Sequence, residues 1–143
     1  MKFPECRRNG QTDKRTASAG VGYLFGNAVD VSPFGGRRCG LPWYFDVGVK
    51  RFVSLKHGDK VPHMGWNTIS QTHSDLFRGF TKEEFVYFVH SFYVPVNDCT
   101  AAVTDYILPS SAALHKDNYY ATQFHPEKSG SVGERILQNF LDL

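Results

Sequence analysis

Apolar positions recur with two different periods near the C-terminal end of the chain. Residues 118–124 (NYYATQF) alternate and carry Tyr119, Tyr120 and Phe124, which predicts a half-buried strand. Pro126 removes a backbone donor and should end regular pairing. Beyond it, Val132, Ile136, Leu137, Phe140 and Leu141 fall on one stripe at helical spacing, and Ser131 with Glu134 has the spacing of a capping box. The expected order is a strand, a break, and a helix packing back on a sheet.

Upstream, the texture is mostly that of strands. VKRFVSL (49–55) and VPHMGWNTI (61–69) read as two strands joined by the turn KHGDK. HSDLFRGF (73–80) reads as a short helix or loop. The run FVYFVHSFYVPV (85–96) has the composition of a central strand, closed by Pro95 and Asn97-Asp98. TAAVTDYIL and SAALHKD follow as short strands with a turn at Pro109. Residues 1–45 differ from all of this. They are polar and aperiodic at first, then string Gly, Pro and Arg between aromatics, and they do not read as a folded segment.

The 143 residues, 41% of them hydrophobic, fit one globular domain. No apolar run has the length of a membrane span and no signal peptide opens the chain, so no membrane association is expected. Cys6, Cys39 and Cys99 lack metal-ligand spacing, and their odd number argues against a disulfide framework, which points to a reducing, cytoplasmic setting. No metal or cofactor is expected. The net charge of +2 is uneven, with seven Lys/Arg against three Asp/Glu in residues 1–40. Taken alone, that is compatible with a basic arm on nucleic acid.

Candidate chemistry sits at the strand end. His125 and Glu127 are two apart, so extended backbone would aim both side chains to one side. A carboxylate beside a histidine fixes its tautomer and stabilises the imidazolium, as a general base requires. The same spacing also suits an ordinary surface pair. Two further stretches interrupt apolar runs with polar groups. PHMGWN (62–67) reads alone as a core strand with a polar end, and His90 with Ser91 as a buried, satisfied pair.

Together, QFHPEKSG, PHMGWN and YFVHSFYV resemble class I, triad-type glutamine amidotransferases. Their order resembles the glutaminase subunits of imidazole glycerol phosphate synthases over residues 46–143. The resemblance implies an α/β sheet with flanking helices, the N-terminal part being missing or scrambled. It implies glutamine hydrolysis to glutamate and ammonia, the ammonia passing to a cyclase subunit in a heterodimer. That cyclase makes imidazole glycerol phosphate and an aminoimidazole carboxamide ribotide in histidine biosynthesis. His125 would be the general base and Glu127 its orienting carboxylate. His90, Ser91 and Phe92 would line the glutamine pocket, mainly through backbone groups. His63, Trp66 and Asn67 would lie near the face that docks on the cyclase.

One departure is large. The family carries G-x-C-x-G at a nucleophile elbow, and this sequence has no such string. Cys39 precedes Gly-Leu-Pro, and Cys99 follows a strand on a turn. Residues 22–28, back-translated and read from the second base of each codon, yield Gly-Ile-Cys-Leu-Gly-Met-Gln. The window 18–44 yields QPVLGICLGMQLMCRHSEEGDVDCLGI, similar to the family's nucleophile region throughout. Residues 1–45 therefore read as frameshifted and the uneven charge as accidental, so no nucleic-acid partner is expected. Two other readings remain, a non-catalytic pseudo-glutaminase that only binds a synthase partner and a glutaminase subunit of another synthase.

Overall fold

The computed structural model describes residues 20–23, 45 and 47–143. The dyad is carried by a sheet of four strands: β1 (Gly20–Tyr23), β6 (Thr100–Tyr106), β7 (Leu108–Lys116) and β8 (Tyr119–Thr122). Their spatial order is β1-β8-β7-β6. β8 pairs antiparallel with β7 and parallel with β1, with Tyr23 opposite Thr122. Within residues 1–45, which do not read as a folded segment, Gly20–Tyr23 form a strand. The remainder of that segment, with Cys6 and Cys39, lies outside the described residues.

The long apolar run is not one central strand. It divides at Ser91 into β4 (Glu84–His90) and β5 (Phe92–Tyr93). β4 pairs with β3 (His63–Ile69), and β5 with the two-residue β2 (Lys50–Arg51), giving two separate two-stranded antiparallel sheets. Val86, Phe88 and His90 point inward, whereas Phe85 on the other face is 58% exposed. Composition alone could not distinguish a strand buried on both faces from an inner face joined to an exposed apolar outer face. Reciprocal bonds between Ser70 and Val103, 2.8 and 2.9 Å, tie the end of β3 to β6.

The β6–β7 turn also differs from expectation. Ile107, at φ 59°, makes it, and Pro109 lies within β7 opposite Asp105, near the start of the strand where a missing donor is tolerated. Ala101, Ala102, Ala112 and Ala113 are fully buried in these two strands, and Phe88 and Phe124 pack into the same core. Residues 120–124 are buried throughout rather than alternately, because both faces of β8 are covered.

α1 spans Gly130–Leu141 as expected, but the capping box does not form. Ser129, not Ser131, is the N-cap, and its hydroxyl is engaged elsewhere. Gly133 and Ile136 are the buried positions, with Val132 and Phe140 flanking, while Leu141 faces solvent. None of the described helices is long and apolar enough to cross a membrane.

Candidate active site

β8 leads through Gln123 and Phe124 to His125, which caps a 3₁₀ turn at Pro126–Lys128. His125 Nδ1 and a Glu127 carboxylate oxygen are 2.9 Å apart. The two side chains meet as expected, although Glu127 gets there by the 3₁₀ turn rather than along extended backbone. A carboxylate only accepts, so His125 carries a hydrogen on Nδ1, and in the neutral imidazole the lone pair then falls on Nε2. That is the tautomer a general base needs.

Two bonds fasten this turn to β4 and a third closes the clasp within it. The His125 backbone N–H donates to the Tyr87 carbonyl at 2.9 Å. The Tyr87 N–H donates to the Ser129 hydroxyl at 3.0 Å, and that hydroxyl donates to the His125 carbonyl at 2.6 Å. Ser129 is therefore a clasp between strand and dyad, which explains why it makes no side-chain cap on α1. Its role was missed in the sequence, where the serine two residues later has the more familiar capping spacing. Gly133 completes the support. A Cβ there would collide with the Pro126 carbonyl oxygen, so the missing side chain lets α1 rest directly on the turn.

The candidate pocket segment, His90, Ser91 and Phe92, continues from the same strand. The Ser91 carbonyl accepts a bond from the Phe52 N–H at 2.9 Å, and the Phe92 carbonyl accepts one from the His90 ring at 2.7 Å. β4 thus joins the dyad turn at Tyr87 to the pocket segment three residues on. Burial, with His125 as a nearby like charge, holds His90 below the ordinary imidazole range, against the raising effect of its bond to Phe92.

His63 is 3% exposed and lies opposite His90 on the inner face of the β3–β4 pair. Desolvation, and then the adjacent His90, push its pKa down to about 3. Asn67 is half-buried and points to His63 and the Asp105 carbonyl. Trp66 alone of the three is exposed, at 56%. Met64 and Phe85 expose similar fractions of the same outer face. Cys99 is buried.

β8 thus leads to a His–Glu pair that is clasped to β4 and backed by α1. The family model for glutamine amidotransferase class-I matches residues 23–143. The chain belongs to the class I glutamine amidotransferase family.

Its curated relatives narrow the kinship. It is 80% identical over 99 residues to imidazole glycerol phosphate synthase subunit HisH of Bacteroides thetaiotaomicron, covering 69% of this chain and 50% of that one. The same subunit of Methanothermobacter thermautotrophicus is 42% identical over 134 residues, covering 84% of this chain and 67% of that one. A crystal structure of a putative GMP synthase protein from Thermoplasma acidophilum superposes with a TM-score of 0.53. It is 25% identical, over 68% of this chain and 48% of that one. The chain spans about half the length of the Bacteroides relatives.

Proposed function

We propose that this chain is the dyad-bearing part of the glutaminase subunit of an imidazole glycerol phosphate synthase. In this reading His125 takes a proton from a thiol and returns it to the leaving ammonia, and Glu127 holds the imidazole and stabilises its cation. Residues 90–92 receive the α-amino and carboxylate ends of glutamine. Trp66, with Met64 and Phe85, docks on the cyclase, which takes the ammonia. The reaction needs no cofactor, and the histidine-biosynthetic setting is cytoplasmic. The observation that carries the reading is the 2.9 Å contact that sets His125 in the base tautomer at the end of β8.

The nucleophile is the missing part. β1 ends at Tyr23, opposite Thr122 and three residues short of His125 in register, and the next residue in the chain is Leu24. Read one base out, the codon at that place is the cysteine of Gly-Ile-Cys-Leu-Gly. A thiol there would follow a strand that runs parallel to the dyad strand, as a nucleophile elbow requires. The 80% and 74% identities extend over 99 residues, the length of 45–143. The family model begins at residue 23, the last residue of β1. As it stands, the sequence offers leucine where the thiol should be, and this chain does not turn glutamine over.

Glutamate release measured with and without the cyclase tests this. The chain carrying the N-terminal region of its relatives, with residues 18–44 returned to the other frame, should release glutamate, faster with cyclase present. The unaltered chain should release none. Turnover by the unaltered chain, or none by the restored one in complex, contradicts the proposal.

A further inference from the structure

The side chains of Asn67, His63 and His90 form a hydrogen-bonded line that ends on a carbonyl of the pocket segment. Its polarity is fixed from both ends. At one end the Phe92 carbonyl can only accept, so His90 Nδ1, 2.7 Å away, carries the hydrogen. His90 Nε2 then holds a lone pair and accepts from His63 Nδ1 at 3.0 Å. That leaves His63 Nε2 as an acceptor, 3.4 Å from the amide nitrogen of Asn67. At the other end, Asn67 Oδ1 accepts from the Thr68 N–H at 2.8 Å and its Nδ2 donates to the Asp105 carbonyl at 3.0 Å, which fixes the amide orientation. Each link has one donor and one acceptor when both imidazoles are neutral with hydrogen on Nδ1.

The surroundings hold this arrangement. Cross-strand register places His63 directly opposite His90, and both rings are buried. The His63 ring stacks on Tyr106 at 3.8 Å and 7°, and on Phe88 at 4.7 Å and 18°, which resists the ring flip that would put a carbon in place of each nitrogen. The Tyr106 hydroxyl is itself tied to the Lys60 carbonyl at 2.6 Å. Beside the end of the line, the Ser91 carbonyl is held by the Phe52 N–H. The carbonyls of residues 91 and 92 are thus both committed, one to backbone and one to the line.

We propose that His63 and His90 are positioning residues for glutamine, holding residues 91–92 in the backbone arrangement that receives the substrate's charged ends. The role rests on the glutaminase reading above. Neither ring touches substrate. Each acts through the Phe92 carbonyl, and Asn67 sets the direction of the line from the strand that carries the exposed Trp66.

The test combines two readouts on the full chain. Long-range proton–nitrogen spectra of histidine-labelled protein report which ring nitrogen holds hydrogen, and calorimetric titration reports glutamine affinity. Both rings should show hydrogen on Nδ1. His63→Phe keeps the ring stack but removes both nitrogens. It should free His90 to exchange tautomers, move the Phe92 carbonyl resonance and weaken glutamine about tenfold. His63→Gln, which can still donate and accept, should retain affinity within about threefold. If His63→Phe does not fold, Asn67→Ala takes its place, with the same shifts in smaller measure. A folded His63→Phe with unchanged glutamine affinity overturns the proposal, as does hydrogen on Nε2 of either ring in the unaltered chain. Rings as described with no glutamine bound by the unaltered chain would instead overturn the glutaminase reading, and the positioning role with it.

Discussion

The Tyr87 N–H and the Ser129 hydroxyl meet at 3.0 Å across 42 residues of sequence, and this bond joins the strand that leads to residues 90–92 to the turn that carries His125 and Glu127. The same hydroxyl bonds the His125 carbonyl, so one small buried side chain sets the distance between the two halves of the site. Ser129→Ala should leave a buried N–H unpaired and cost about 1–3 kcal/mol. Urea unfolding of the chain measures that loss. In the frame-restored enzyme the same change should lower turnover more than glutamine affinity, because it moves the base and leaves residues 90–92 in place.

Gly133 and Gly130 are both glycines of α1 but should respond differently to alanine. At Gly133 a methyl meets the Pro126 carbonyl, which cannot yield without displacing the dyad turn, so overpacking should cost roughly 1–3 kcal/mol. Gly130, at φ 57°, has open space, and its alanine bears only the left-handed backbone penalty of roughly 1–2 kcal/mol. Melting curves compare the two in stability. The spectrum of the His125 ring should change in Gly133→Ala alone.

Stability should fall on acidification through the buried imidazoles. His63 has its pKa lowered from 6.5 to about 3, first by burial and then by His90. Between those limits the unfolded chain takes up a proton that the folded chain rejects. Its contribution is therefore complete above about pH 6.5 and disappears as the pH falls toward 3. The slope is up to about 1.4 kcal/mol per pH unit for each such ring, and His90 acts in the same direction. Urea midpoints at several pH values read it. His63→Phe should flatten the dependence by about one proton, and an undiminished slope would contradict a neutral pair.

Trp66 is exposed and contacts Tyr87 edge-on at 6.0 Å, so it adds little to the core. Trp66→Ala should change the unfolding free energy by within ~0.5 kcal/mol. It should weaken binding to the cyclase by ~2 kcal/mol or more. Binding and melting measured on the same variant separate an interface anchor from a core residue. Loss of stability with unchanged cyclase binding would reverse the assignment.

The His125–Glu127 pair and α1 could be read from the sequence because both are local. Two residues of separation and a helical stripe suffice to place them, even though a 3₁₀ turn rather than a strand brings the pair together. The His63–His90 pair could not be read so directly. It depends on the register of β3 against β4 across 27 residues, and nothing within PHMGWN itself shows which side faces the core. The same register decides that Trp66 faces outward and His63 inward. The breaking of residues 85–96 into two strands was hidden because an apolar outer face looks, in composition, like a second buried one. Gly20–Tyr23 was missed because four residues of Gly, Val and Tyr carry too short a pattern to assign.

In the proposed mechanism the dyad serves a thiol at the sequence position now occupied by Leu24. Covalent trapping tests it most directly, using a diazoketone analogue of glutamine that alkylates the nucleophile of a thiol glutaminase, read by intact mass and peptide mapping. The frame-restored enzyme should take up one equivalent at the cysteine that follows β1, more slowly when Glu127 is changed to Gln. The unaltered chain should take up none. Labelling of the unaltered chain, or labelling of the restored enzyme at any other residue, would contradict the account.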